Sequence, residues 1–175
     1  MSTFHANPNR LTSSARRRGY RGASVVVELL IAFPILFIAL LVVVEFGVMM
    51  ANLKQVAAAT RDGARLAAQT AGLAPATTAA TAAAVRALVD NRLESAGYGA
   101  NASQGVTLRH TVAGGGVATD GVCNDPLIPA LPAVDAVRVT VRVELTKFTP
   151  NLLASFGFDL STRFSEHTAT FEYEP

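Results

Sequence analysis

Two carboxylates bracket the most apolar stretch of this chain. Leu29–Val44 is a run of sixteen residues without a charge, with Glu28 directly before it and Glu45 directly after it. Lipid tolerates a carboxylate at its edge poorly and ordinary membrane anchors usually avoid one, so these two positions are the most informative in the sequence. Other reactive side chains are sparse. Cys123 is the only cysteine, which leaves no disulfide within the chain and no cysteine cage for zinc. His5, His110 and His167 are scattered without ligand spacing. Asp120, Asn124 and Asp125 have oxygens suited to calcium but lack the D-x-[DN]-x-[DN]-G order of a calcium loop. No G-x-S-x-G, P-loop, H-E-x-x-H or paired-cysteine motif is present. Asp62, between Arg61 and Arg65, is expected to form an ion pair on a solvated helix face. The chain is therefore expected to be no enzyme, with no cofactor, no metal and no small-molecule substrate.

The apolar run needs a home. Half of the 175 residues are hydrophobic and only 16% are charged, a poor fit to an ordinary water-soluble domain. At 1.5 Å per residue, sixteen residues reach about 24 Å, short of the roughly 30 Å hydrocarbon core, so Val25–Val27 and Phe46–Met50 must extend the span. Arg10, Arg16, Arg17, Arg18 and Arg21 all precede the run, and no acidic residue stands before Glu28. A basic cluster directly before a hydrophobic span follows the positive-inside rule and needs no nucleic acid to explain it. The amino end is expected in the cytoplasm and everything beyond about Met50 outside it. Residues 1–22 form a basic, disordered leader, 23–50 the transmembrane part of a long helix, and 51–175 an extracytoplasmic domain.

The helical pattern runs from Ala23 to about Thr70, longer than a span requires, so the helix should leave the bilayer. Phe46, Met50, Leu53, Ala57, Thr60, Ala64 and Ala68 recur at helical spacing and predict its packed face, with Lys54, Arg61 and Arg65 opposite. Pro34 removes one backbone hydrogen bond inside the span and predicts a kink there. Gly47 and Gly63 suggest close packing or flexibility. A second helix is predicted over Ala79–Ser95, with Val85, Leu88, Val89 and Leu93 inward, Arg86, Asp90, Asn91 and Glu94 in water, and Gly97 as terminator.

After Gly99 the period becomes two. Val106–Val112 predicts a short strand. Val137, Val139, Val141, Val143 and Leu145 predict a second, with Arg138, Thr140, Arg142 and Glu144 on a solvent face. Ala113–Val134, with three consecutive glycines and Pro126, Pro129 and Pro132, is read as a long loop. A last strand is placed in Phe158–Tyr173, where a bulge would bring Phe164 onto the face of Ala169, Phe171 and Tyr173.

The order Arg21-Gly22-Ala23-Ser24-Val25-Val26-Val27-Glu28-Leu29 resembles the class III signal of type IV pilin-like proteins. The resemblance sharpens with Glu28-Leu29-Leu30-Ile31-Ala32-Phe33-Pro34, Glu45-Phe46-Gly47 and Thr60-Arg61-Asp62-Gly63-Ala64-Arg65-Leu66-Ala67-Ala68, which look like TadE-type pseudopilins or minor pilins of the Tad (Flp) pilus. It covers about Arg21 to Ala68, under a third of the chain. It implies a prepilin peptidase cutting at Arg21, Gly22, Ala23, Ser24, and a glutamate, Glu28, that meets the new terminal amine of a neighbouring subunit. Cleavage after Gly22 makes Glu28 the sixth mature residue; cleavage after Ala23 makes it the fifth, the family's position. The implied fold is α+β and pilin-like: a long amino-terminal helix, a second helix, and an antiparallel sheet of three or four strands. The implied partners are the cytoplasmic membrane, other pilin or pseudopilin subunits and the pilus assembly platform. The alternative is a single-pass anchor carrying an extracytoplasmic binding domain outside any pilus.

Overall fold

The computed structural model describes residues 18–123, 130–132 and 134–174. Its described elements are helix α1 (Arg18–Ala68), helix α2 (Thr78–Ser95) and strands β1 (Ser103–His110), β2 (Gly116–Gly121), β3 (Ala136–Glu144) and β4 (Phe164–Glu172). The architecture is α+β. The chain divides into two compact units, Met1–Val43 and Val44–Pro175, and α1 contributes to both.

In the first unit α1 is already helical at Arg18, five residues before the expected start, and no proline in Arg18–Gly22 opposes the helix. The rest of the expected disordered leader, residues 1–17, lies outside the described residues. The helix remains continuous through Pro34, whose missing N–H leaves the Leu30 carbonyl without its usual partner. Val25, Leu29, Leu30, Ile31, Phe33 and Leu36 are each more than three-fifths exposed.

The second unit is built on a four-stranded antiparallel sheet of order β2-β1-β3-β4. Val106 and Leu108 of β1, Val137, Val139, Val141 and Val143 of β3, Val85, Val89 and Leu93 of α2, and Val56, Ala64 and Ala67 of α1 share one core. Each valine or leucine of this cluster taken from water is worth about 1.5–3 kcal/mol, so the cluster holds the unit together. Helix α2 stops where expected. Gly97 takes φ +96°, Gly97 N–H donates to Glu94 O at 2.9 Å and Tyr98 N–H to Leu93 O at 3.1 Å, the paired bonds of a Schellman cap.

Three expectations for the sheet need correction. Ala113–Val134 is not all loop, because Gly116–Gly121 pairs with β1 in an unbroken antiparallel register. The β3–β4 pairing from Glu144↔Phe164 to Ala136↔Glu172 is also unbroken, so no bulge turns Phe164 inward. Phe164 instead stays on the outer face, 42% exposed, with the Arg142 guanidinium 4.2 Å above its ring. That outer face is not simply solvated. Arg138 and Thr140 are buried, because neighbouring strands cover them: Arg138 Nε donates to Thr170 Oγ1 at 3.1 Å, and the Thr140 and Thr168 hydroxyls lie 3.1 Å apart.

Candidate functional site

Within the first unit, Glu28 stands exposed on α1 among Val25, Leu29 and Ile31, and it makes no ion pair among the described residues. Val26, Leu29, Leu30 and Phe33 border a shallow apolar recess, and the Phe33 and Phe37 rings stack with centroids 6.3 Å apart. A carboxylate on so apolar a wall has every reason to find a cation wherever water is excluded from it. Arg21, Gly22, Ala23 and Ser24 fall within the first turns of α1.

In the second unit α1 does not present the face that apolar spacing predicts. Glu45 is only 4% exposed, Met49 and Asn52 are half-buried, and Val56, Ala59, Gly63 and Ala67 continue that stripe at three- and four-residue steps. Phe46 and Met50, expected inward, are 54% and 42% exposed. The stripe is thus displaced by one residue at its beginning, about 100° around the helix, and meets the expected one at Thr60, Ala64 and Ala68. Asn52 Nδ2 donates to the Phe148 carbonyl, so its amide serves the β3–β4 connection. Glu45 is held within this unit and is not at the water's edge.

Gly63 explains how closely the two helices approach. A Cβ there would lie 2.9 Å from Val85 Cγ1 and 3.2 Å from Val89 Cγ2, whereas one on Gly47 would meet nothing within 4 Å. The close-packing expectation holds at Gly63 alone.

Several polar side chains assigned to water are structural. Arg86 Nη1 bonds Asp120 Oδ1 at 3.0 Å and its Nε lies 3.7 Å from Asp90 Oδ2. Asp90 Oδ1 accepts from Ser103 N–H at 2.9 Å and Ser103 Oγ at 2.7 Å, so this group ties α2 to β1 and β2. Asp120, the first of the three calcium candidates, is thereby engaged; Asn124 and Asp125 lie outside the described residues. Asp62 pairs with Arg92 of α2 at 3.4 Å rather than with Arg61 or Arg65. Arg65 lies 5.7 Å from the Phe171 ring centroid.

His110, His167 and Cys123 are also accounted for locally, and His5 lies outside the described residues. His110 is buried, with Nε2 2.8 Å from Thr78 Oγ1 and Nδ1 3.2 Å from Val112 O, and burial pushes its pKa down. Burial lowers His167 likewise and raises the Cys123 thiol, whose sulfur lies 3.6 Å from Thr140 O. No group of three or more metal-ligating side chains occurs among the described residues.

The exposed apolar surface of the first unit is a helix's outer wall, and α1 is long and apolar enough to cross a membrane. Residues 22–65 match the family of TadE-like proteins. That segment is TadE-like. The match takes in Glu28, Pro34, Glu45, Asn52 and Gly63. No curated protein and no solved structure was found to match the chain. Sequence reasoning found the long apolar helix and its TadE-like segment; it missed the inward turn of Glu45 and Asn52, because inward-facing polar residues leave no mark in a search for apolar periodicity.

Proposed function

We propose that this protein is a minor pilin or pseudopilin that resides in the cytoplasmic membrane and helps to assemble, initiate or cap a Tad (Flp) pilus. The observation that carries this reading is the TadE-like match over residues 22–65, which begins at the proposed processing site and includes Glu28 on an otherwise apolar, outward-facing helix wall. The role is structural. The arginine-rich amino end stays in the cytoplasm and the second unit lies outside it, as the arginines before the span favour. A prepilin peptidase removes the leader at Arg21–Ser24, after Gly22 or Ala23. Glu28 then pairs with the terminal amine of a neighbouring pilin at the assembly platform. Pro34 kinks the span where adjoining subunits accommodate it.

Pairing two opposite charges inside an apolar bundle is tolerable, whereas leaving one unpaired costs about 3–5 kcal/mol. Glu28→Val leaves the neighbour's amine alone but makes the span more apolar. In cells with the cognate peptidase, the variant should reach the membrane in wild-type amounts or more while pilus yield falls sharply. Equal pilus yield from both proteins would remove Glu28 from assembly. Crosslinks from α1 to itself alone, with none to a pilin or the platform, would favour the plain anchor.

A further inference from the structure

The β3–β4 connection, residues 145–163, sends Phe148 into the core but turns its later large apolar side chains outward. Leu152 is 45%, Phe156 50% and Phe158 68% exposed. Its polar groups are turned on one another instead. Asn151 Nδ2 donates to Asp159 Oδ1 at 2.8 Å, Ser161 N–H and Oγ donate to the two Asp159 oxygens at 2.9 and 2.7 Å, and Gly157 N–H donates to Ala154 O at 3.0 Å. The bonds from Ser161 and Asn151 hold the Asp159 carboxylate below its usual pKa, and with the Gly157–Ala154 bond they give the loop a fixed shape. Large apolar side chains on a preset loop mark a contact surface.

The position of this loop in its unit identifies what it meets. At one end of the sheet, Glu174 N–H donates to Ala68 O and Tyr173 OH to Thr70 O, at 3.2 and 3.1 Å, so the last strand finishes beside the end of α1. At the other end Asn52 bonds Phe148, so the β3–β4 connection sits beside the early part of α1 in this unit. Asn52 is eight residues from Val44, about 12 Å along a helix. Over that length the outer face of α1 is Phe46, Val48 and Met50, all exposed, while Glu45 and Asn52 turn inward. Apolar outside and polar inside is how a helix is arranged in lipid. Lys54 and Lys147, both exposed, bring positive charge to the same end, where anionic or zwitterionic headgroups lie.

We infer that Leu152, Phe156 and Phe158 form a foot that inserts into the outer leaflet of the membrane crossed by α1, beside the emerging helix. The foot would give the extracytoplasmic unit a second point of attachment to lipid, so that its approach to a pilus base is over the membrane surface. This inference rests on the membrane-anchored reading given above.

The chain has no tryptophan, so single replacements report cleanly. Full-length Phe156→Trp, Phe158→Trp, Leu36→Trp and Val117→Trp variants would be placed one copy per nanodisc of phosphatidylcholine and phosphatidylglycerol. Quenching would be read with acyl-brominated lipid and with aqueous iodide. Leu36 lies in the span and Val117 at the far end of the sheet, 56% exposed. Bromolipid quenching at positions 156 and 158 should exceed that at Val117→Trp by at least about threefold, with weaker iodide quenching, as for an interfacial aromatic residue. Quenching at Leu36→Trp without quenching at 156 or 158 overturns the foot alone. No bromolipid quenching at Leu36→Trp overturns the anchor and the foot with it. Shielding of 156 and 158 that appears only with several copies per disc assigns the surface to a second copy and also overturns the inference.

Discussion

Between Glu45 and Asn52, α1 hides its polar side chains and exposes Phe46, Val48 and Met50; between Gln55 and Gln69 it hides alanine, valine, glycine and Thr60, whose hydroxyl bonds the Val56 carbonyl, and exposes Gln55, Arg61, Arg65 and Gln69. One helix obeys opposite rules within seven turns. A buried face is selected by contrast with whatever surrounds the other face. Where water surrounds the helix, apolar residues turn in; where hydrocarbon does, a glutamate and an asparagine turn in to find partners and apolar residues can face out. On the membrane-anchored reading, the crossover near Leu53 marks where the surroundings change, and it falls beside the Asn52–Phe148 bond.

The same contrast separates the two glycines of these stretches, and the largest effect should come from testing them together. Gly63 is pressed against Val85 and Val89, which are stiff at χ1 and slow to yield, whereas Gly47 has open space around it. Gly63→Leu should lower the stability of the second unit by about 3 kcal/mol, the upper range for overpacking. Gly47→Leu should cost nothing and gain up to about 0.8 kcal/mol of helix propensity. Urea titration of the two variants in the same detergent checks both. Equal losses would mean that α1 and α2 do not meet at Gly63.

A middle-sized effect is expected where the outer face is apolar. Phe46→Asp should weaken membrane association by about 1–2 kcal/mol, less than at a bilayer centre because the position is near its edge. Carbonate extraction of membranes carrying this variant measures the shift directly. An Asp at Arg61, on the water side of the crossover, serves as the reference and should leave extraction unchanged. If the two variants extract alike, Phe46 faces water and the crossover is misplaced.

How much of this was legible in the sequence depended on which contrast a residue obeyed. Helix α2, its Gly97 cap and the valines of β3 follow water-facing rules, and their spacing alone located them. β2 was hidden because its core-side residues are Gly116, Ala118 and Asp120, with Val117 and Thr119 outside; its place comes from backbone pairing with β1 and from Arg86 reaching Asp120. Phe164 misled in the other direction, since an arginine on the outer face received the ring that apolar patterning sends inward. Of the candidate site, Glu28 was evident as a carboxylate beside a long apolar run. Glu45 was equally evident, but its inward turn depends on tertiary packing that apolar spacing does not report.

The smallest effect should come from Arg65, on the water-facing side of the helix. Its guanidinium lies 5.7 Å from the Phe171 ring, near the limit at which the ring's quadrupole attracts a cation, and Arg65 itself is exposed. Water competes for the charge at such a site, so the contact is worth about 0.5 kcal/mol. Arg65→Gln keeps a polar, helix-favouring side chain and removes only the charge and its contact with the ring. The loss in urea titration should therefore stay within about 0.5 kcal/mol and leave membrane extraction untouched. A loss of about 2 kcal/mol or more would require Arg65 to be held in surroundings much drier than water, and the water-facing rule would then fail at the point where it is most simply stated.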